Sequence, residues 1–258
     1  GCSWSGTALG AYAHVWELGT GIRSENSSFS VVTHCSVILP YGTPCPMEDV
    51  VRSSFSGLNS GIFATTFDLS RTFVVDQADF ALNVAGIRME GIQDAGITRC
   101  TFDVPEPELD GWASTPYGMY LDQCTGYEIE ENAFVTSQPT GLYKKVGLVI
   151  KDSGPYANLF YNNSFDALFV GSLIEGKNAT GDDVSGLLVK CNDYGLTTKN
   201  TFDVALTGEQ VKVQAMQGSF IDPLNPDPTV PAGNRFSLDH DGSFDPEEDW
   251  FVEDVSTF

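Results

Sequence analysis

One phrase recurs along this chain: a glycine, an apolar residue, any residue, a small or apolar residue, then a polar one. It stands as Gly21-Ile22-Arg23-Ser24-Glu25, Gly61-Ile62-Phe63-Ala64-Thr65, Gly86-Ile87-Arg88-Met89-Glu90 and Gly118-Met119-Tyr120-Leu121-Asp122. Two further copies are Gly147-Leu148-Val149-Ile150-Lys151 and Gly186-Leu187-Leu188-Val189-Lys190, so successive glycines lie 40, 25, 32, 29 and 39 residues apart. Alternation with period two is the signature of a strand. A unit this short cannot bury its own apolar face, so the units must stack on one another.

A second phrase follows the first. Eleven residues after the glycine comes Val32, Ile97, Ile129 or, in the last copy, Thr197; sixteen residues after it comes Val37, Phe102, Phe134 or Phe202. The Gly147 copy has its aromatic at Phe165, and the Gly61 copy lacks a clean second phrase. Two places before the aromatic position stands Cys35, Cys100, Asn132, Asn163 or Asn200. The pattern predicts an inward set of Ile22, Ile62, Ile87, Met89, Met119, Leu121, Leu148, Ile150, Leu187 and Val189. No long period of 3.6 competes, and Gly, Asn and Asp supply turns.

These Gly-apolar-x-apolar starts and Asn-x-Phe corners resemble the right-handed parallel β-helix family, the pectate-lyase-like repeat proteins, over roughly residues 15–221. The resemblance implies an all-β right-handed parallel β-helix solenoid, with Asn132, Asn163 and Asn200 in an internal ladder and Cys35 and Cys100 replacing Asn in earlier coils. More narrowly, Gly186–Asn192, Gln217–Phe220 and Pro231–Ser237 resemble surface β-helix proteins exported by type IX secretion in gliding-type bacteria. The sorting domain that such proteins carry at their far C-terminus has no counterpart in this sequence. The expected organisation is a repeat domain over 1–221, then a Pro-rich linker and acidic C-terminal cap or tail over 222–258.

Charge narrows the partners. The chain of 258 residues has 13 Lys plus Arg against 35 Asp plus Glu, a net charge of −22. That excess opposes nucleic acid and anionic membrane surfaces. No apolar run is long enough for membrane insertion. The opening Gly-Cys-Ser-Trp, without initiator Met or signal peptide, reads as a processed chain or part of a longer one, and the strand-like Phe251–Val255 suggests a fold that continues. Acidity with many Asn, Ser, Thr and Gly points to an extracellular or cell-surface protein. The cysteines are Cys2, Cys35, Cys45, Cys100, Cys124 and Cys191, with no CxxC pair for zinc. Cys35 and Cys45 flank a Pro-Gly loop and either bridge or sit buried as small apolar residues.

The residue four after each glycine should point outward, which stacks Glu25, Thr65, Glu90, Asp122, Lys151 and Lys190 beside Arg23, Phe63, Arg88, Tyr120, Val149 and Leu188. Glu90 and Asp122 then sit on adjacent rungs, as a carbohydrate lyase or glycoside hydrolase requires, with Arg88 and Tyr120 as sugar contacts. The alternative is an exposed electrostatic ladder. Asp239, Asp241, Gly242, Ser243, Asp245 and Glu248 follow calcium-loop spacing, but Ser237 stands at position one, Pro246 intrudes and no helices flank it; a loosely bound Ca²⁺ is the only cofactor the sequence suggests. Gly171–Asn178 approximates a phosphate-binding loop and is rejected, since Asn178 ends it and no helix follows. His14, His34 and His240 are scattered. Outward Phe63, Trp112, Tyr117, Tyr120 and Tyr143 form either an aromatic strip for a glycan or protein partner or the floor beneath loops. Sequons at Asn26, Asn162 and Asn178 read as turns and ladder positions. The favoured expectation is a structural or adhesive surface β-helix that self-associates through exposed strand edges, as a filament-forming protein does; the alternative is the polysaccharide-cleaving enzyme.

Overall fold

The computed structural model describes residues 3–5, 19–106, 115–138, 144–181, 185–215, 217–218, 231–237 and 250–253. Its strands form three parallel sheets of eight, six and seven strands and one two-stranded antiparallel ribbon. The chain visits the sheets in fixed rotation. Ser60–Thr65 lies in the first sheet, Phe73–Asp76 in the second and Ala78–Ala81 in the third; Ala85–Glu90, Ala95–Thr98 and Thr101–Asp103 repeat the circuit. Each strand pairs in parallel with its counterpart one circuit away, as Ile62, Ile87, Met119 and Leu148 do in register.

The interior is filled by columns of like residues. Phe55, Phe80, Phe102, Phe134, Phe165 and Tyr194 are buried in the third sheet and stack with ring centroids 4.7–5.0 Å apart. Phe236 continues the stack at 5.6 Å. Val31, Val75, Ile97, Ile129, Phe160 and Val189 line the second sheet's inner face. Ile62, Ile87, Met119, Leu148, Met89, Leu121 and Ile150 are buried as expected, whereas Ile22 in the first circuit is half-buried.

The glycines of the phrase are required by this stack. A Cβ on Gly118 would lie 2.7 Å from the Gly147 carbonyl oxygen and 2.7 Å from the Phe134 ring. The same collision recurs from Gly21 to Gly171, and it corrects the sixth copy. Gly171-Ser172-Leu173-Ile174-Glu175, within the strand Val170–Lys177, meets Tyr194 as the others meet their Phe. Leu187–Lys190 belongs to the second sheet, so Leu187 and Val189 are buried there and Lys190 leaves the outward column. Likewise Phe55 takes the place expected for Val37. Val37 and Val32 are exposed, and Thr197 lies outside the strands.

Five passages from second to third sheet turn through one left-handed residue: Gln77, Arg99, Glu131, Asn162 and Cys191 have φ of 54–57°. Non-glycine residues pay about 1–2 kcal/mol there. After Glu131, Asn162 and Cys191, side-chain hydrogen bonds of the next residue offset it. The Asn132 amide N–H and Nδ2 donate to Asn163 Oδ1 at 2.9 and 3.0 Å, Asn163 donates likewise to Asn192 at 2.9 and 3.0 Å, and Asn192 to Asn234 at 2.9 and 3.2 Å. Cys100 N–H starts the ladder by donating to Asn132 Oδ1. Two expectations are corrected. Asn200 binds Leu168 N–H and the Phe165 carbonyl at a different corner, and Cys35 is joined to Cys45 in a disulfide. Asn192 holds the ladder position expected for Asn200, and Asn234 extends the ladder by one step.

Two segments depart from the circuit. Between Phe29–Val31 and Ser53–Ser56 the chain leaves the sheets as an antiparallel ribbon, His34–Cys35 with Val50–Val51. At the far end, Trp250–Glu253 adds a parallel strand to Phe202–Lys212. Among the described residues no helix is long and apolar enough to cross a membrane.

Candidate functional site

The outward face of the eight-stranded sheet carries the residues that the repeat singled out. Its register places Arg23, Phe63, Arg88, Tyr120, Val149, Leu173 and Ala205 in one column and Glu25, Thr65, Glu90, Asp122, Lys151, Glu175 and Thr207 in the next. Glu90 and Asp122 are direct cross-strand partners, as expected. Leu188 and Lys190 are replaced by Leu173 and Glu175, because Gly171 rather than Gly186 opens that strand.

The first half of this face is charged and self-neutralised. Arg23 reaches Glu25 at 2.6 Å, and Arg88 clamps Glu90 Oε1 through Nε at 2.8 Å and Nη2 at 2.6 Å. The guanidiniums alternate with rings: Arg23 lies 5.5 Å from the Phe63 centroid, and Arg88 lies 5.7 Å from Phe63 and 5.6 Å from Tyr120. Such contacts contribute about 0.5–1 kcal/mol each where exposed. Asp122 differs, since its Oδ1 is shielded from solvent and accepts no hydrogen bond. Burial, followed by the charges of Asp122 and Glu175, pushes the Tyr120 phenol above its ordinary pKa. Burial does the same to Tyr117 against the pull of Arg88.

The second half is apolar. Val146, Val149, Val170 and Ala205 are buried in a cluster separate from the core, partly covered by Tyr117, Tyr120, Phe169, Leu173 and Phe202. Between these side chains lies a cleft of about 530 Å³, with Lys144, Glu175 and Thr207 among its polar lining. Lys144 sits 5.8 Å from the Phe169 ring centroid. The outward repeat column foretold Tyr120 and Val149 and the aromatic strip Tyr117, but neither contained Leu173, Phe169 or Phe202. The signal was present: Gly171 follows Gly147 by 24 residues, close to the shortest step of the repeat.

Other expectations resolve away from this face. Gly171–Asn178 is no phosphate loop, since residues 170–177 are a strand. Asn178 is fully buried and accepts from Ser153 N–H, so its sequon is closed in the folded chain, while Asn26 and Asn162 occupy left-handed turns. Ser237 is committed to the fold, its Oγ donating to the buried Asp203 at 2.7 Å. His34 stands exposed in the antiparallel ribbon. Asp239, Asp241, Gly242, Ser243, Asp245 and Glu248, with Trp112, Tyr143, His14, His240 and Cys2, lie outside the described residues. Among the described residues no group of three or more His, Cys, Asp or Glu is placed to hold a metal ion.

Comparison with protein-family models, curated proteins and solved structures yields no match.

Proposed function

We propose that this chain is a right-handed parallel β-helix of the cell surface or extracellular space that works by adhesion, holding a partner on the outward face of its eight-stranded sheet. The apolar cluster over Val146, Val149, Val170 and Ala205 carries this reading. An apolar patch rimmed by polar groups on a solvent face marks a binding surface. The rotation of the chain through three parallel sheets supports the helical architecture, and parallel crossovers are nearly always right-handed. The Cys35–Cys45 disulfide supports an oxidising compartment. Export by a type IX route belongs to the same proposal and rests on the sequence resemblance alone.

A polysaccharide-cleaving enzyme is the second reading, and the direct cross-strand pairing of Asp122 with Glu90 favours it, since it sets two carboxylates side by side on adjacent strands. Against it, Glu90 is already held by Arg88. A panel of acidic and neutral polysaccharides separates the two readings. The expected result is no turnover, with retention of the chain on a surface glycan or protein that Leu173→Glu abolishes. Turnover lost in Glu90→Gln and Asp122→Asn would replace adhesion by catalysis.

A further inference from the structure

The ribbon that leaves the sheets after Val31 is a closed finger. Cys35 and Cys45 bridge its base, and Ser36 N–H donates to the Asp49 carbonyl at 2.8 Å. Its tip is a turn, with Thr43 N–H donating to the Pro40 carbonyl at 3.0 Å and Gly42 at φ 83°. Pro40, Pro44 and Pro46 restrict the backbone further. The finger is preorganised, yet among the described residues Ile38, Tyr41 and Met47 are left open, at 103%, 109% and 83% exposure. In a chain with net charge −22, residues 36–47 carry no charged side chain.

The same molecule carries an apolar concavity in the cleft over Val149, Leu173 and Phe202. That cleft is lined by apolar and aromatic groups, two Thr, one Lys and one Glu, so its formal charges cancel. These two patches let copies approach where the like charges elsewhere repel. Among the described residues no carboxylate pairs with Lys144 at the cleft rim, and Glu48 stands exposed at the base of the finger. Finger and cleft do not meet within one chain: the finger precedes Ser60–Thr65, whereas Val149, Leu173 and Phe202 lie three to five strands further along the sheet, at about 4.8 Å per strand.

At the C-terminal end all three sheets gain a further partner. Trp250–Glu253 extends the first sheet there by one parallel strand, and Arg235 bridges to Asp193 on the third. On the second, the Gln217 side-chain amide accepts from Val189 N–H at 2.6 Å and donates to the Leu187 carbonyl at 3.0 Å.

We infer that the chain associates with a second copy of itself by inserting the Cys35–Cys45 finger, through Ile38 and Tyr41, into the apolar cleft of the next molecule. The inference rests on the reading of that cleft as a binding surface. The contact is heterologous, so unless the rotation closes a ring it propagates as an open array.

Sedimentation velocity over a range of concentrations tests it. The wild-type chain is expected to give species beyond the dimer. An Ile38→Ser/Tyr41→Ser variant and a Leu173→Glu variant are each expected to associate at least about tenfold more weakly, the first with an unchanged thermal melt, since the finger residues are exposed. Mixed in equal amounts, the two variants are expected to form one heterodimer and nothing larger, because only one intact finger and one intact cleft remain. A wild-type monomer at every concentration, or assembly untouched by the variants, would overturn the finger contact. If surface retention then still depends on Leu173, the adhesive reading stands without it; if retention is also absent, both fall.

Discussion

At Gly86 a single Cβ would meet the Gly118 carbonyl oxygen at 2.4 Å and the Phe102 ring at 2.7 Å. One of these is backbone in a paired strand and the other is a ring held between Phe80 and Phe134, so neither gives way cheaply. Gly86→Ala is expected to cost about 3 kcal/mol, in the range of a severe core defect, and a urea unfolding curve measures it. Gly96 is the control, because a Cβ there meets nothing within 4 Å. Burial pushes the Cys100 and Cys124 thiols up to about 12, so they behave as apolar filling and not as nucleophiles.

Among elements, the asparagine ladder governs how the second sheet passes to the third. Asn163 accepts from Asn132 and donates to Asn192, to the Ile129 carbonyl and to the Tyr161 carbonyl, all within 3.0 Å. Asn163→Leu strands buried donors and acceptors on both neighbouring circuits, each at about 1–3 kcal/mol. The expected outcome is loss of cooperative unfolding in circular dichroism melts, beyond what the side-chain volume explains. Cys100 shows the limit of the ladder: its backbone N–H joins, but its thiol offers only weak contacts to the Thr98 and Val75 carbonyls. Circuits before it are built with Ala78 and Ser53 at the same register and do without the ladder.

At the scale of the whole molecule, the carboxylates set how stability depends on pH. Burial would raise Asp76, but hydrogen bonds from Thr98 and Arg99 outweigh it and hold the carboxyl below its usual range. A depressed acid stabilises above its unfolded pKa, and that contribution is lost as pH falls through the folded value. Glu130 has the opposite sign: burial, then the charges of Glu128 and Glu131, raise it, so its contribution is favourable at low pH and lost as pH rises through the folded value. Glu130→Gln is therefore expected to raise the urea midpoint at pH 7, with the gain fading below the ordinary carboxylate range. Arg99→Ala is expected to lower the midpoint at pH 7 and to converge on wild type in acid once Asp76 is protonated. Chemical unfolding of both variants across pH 3–8 checks both signs.

Parallel strands, the glycine column and most of the inward set were legible in the chain itself, because period-two alternation and steric exclusion at Gly86 or Gly118 act within a few residues. The adjacency of Glu90 and Asp122 followed from the same repeat. Counting residues alone misplaced Lys190 and Asn200 and passed over Glu175, Asn192 and Asn234, since insertions between strands change the spacing without changing the register. Only packing between circuits decides which glycine abuts an aromatic ring and which asparagine reaches the next one. The disulfide finger and the cleft over Val149 and Leu173 likewise exist only in three dimensions: each is defined by what the described residues leave uncovered, and exposure depends on neighbours that the linear order does not reveal.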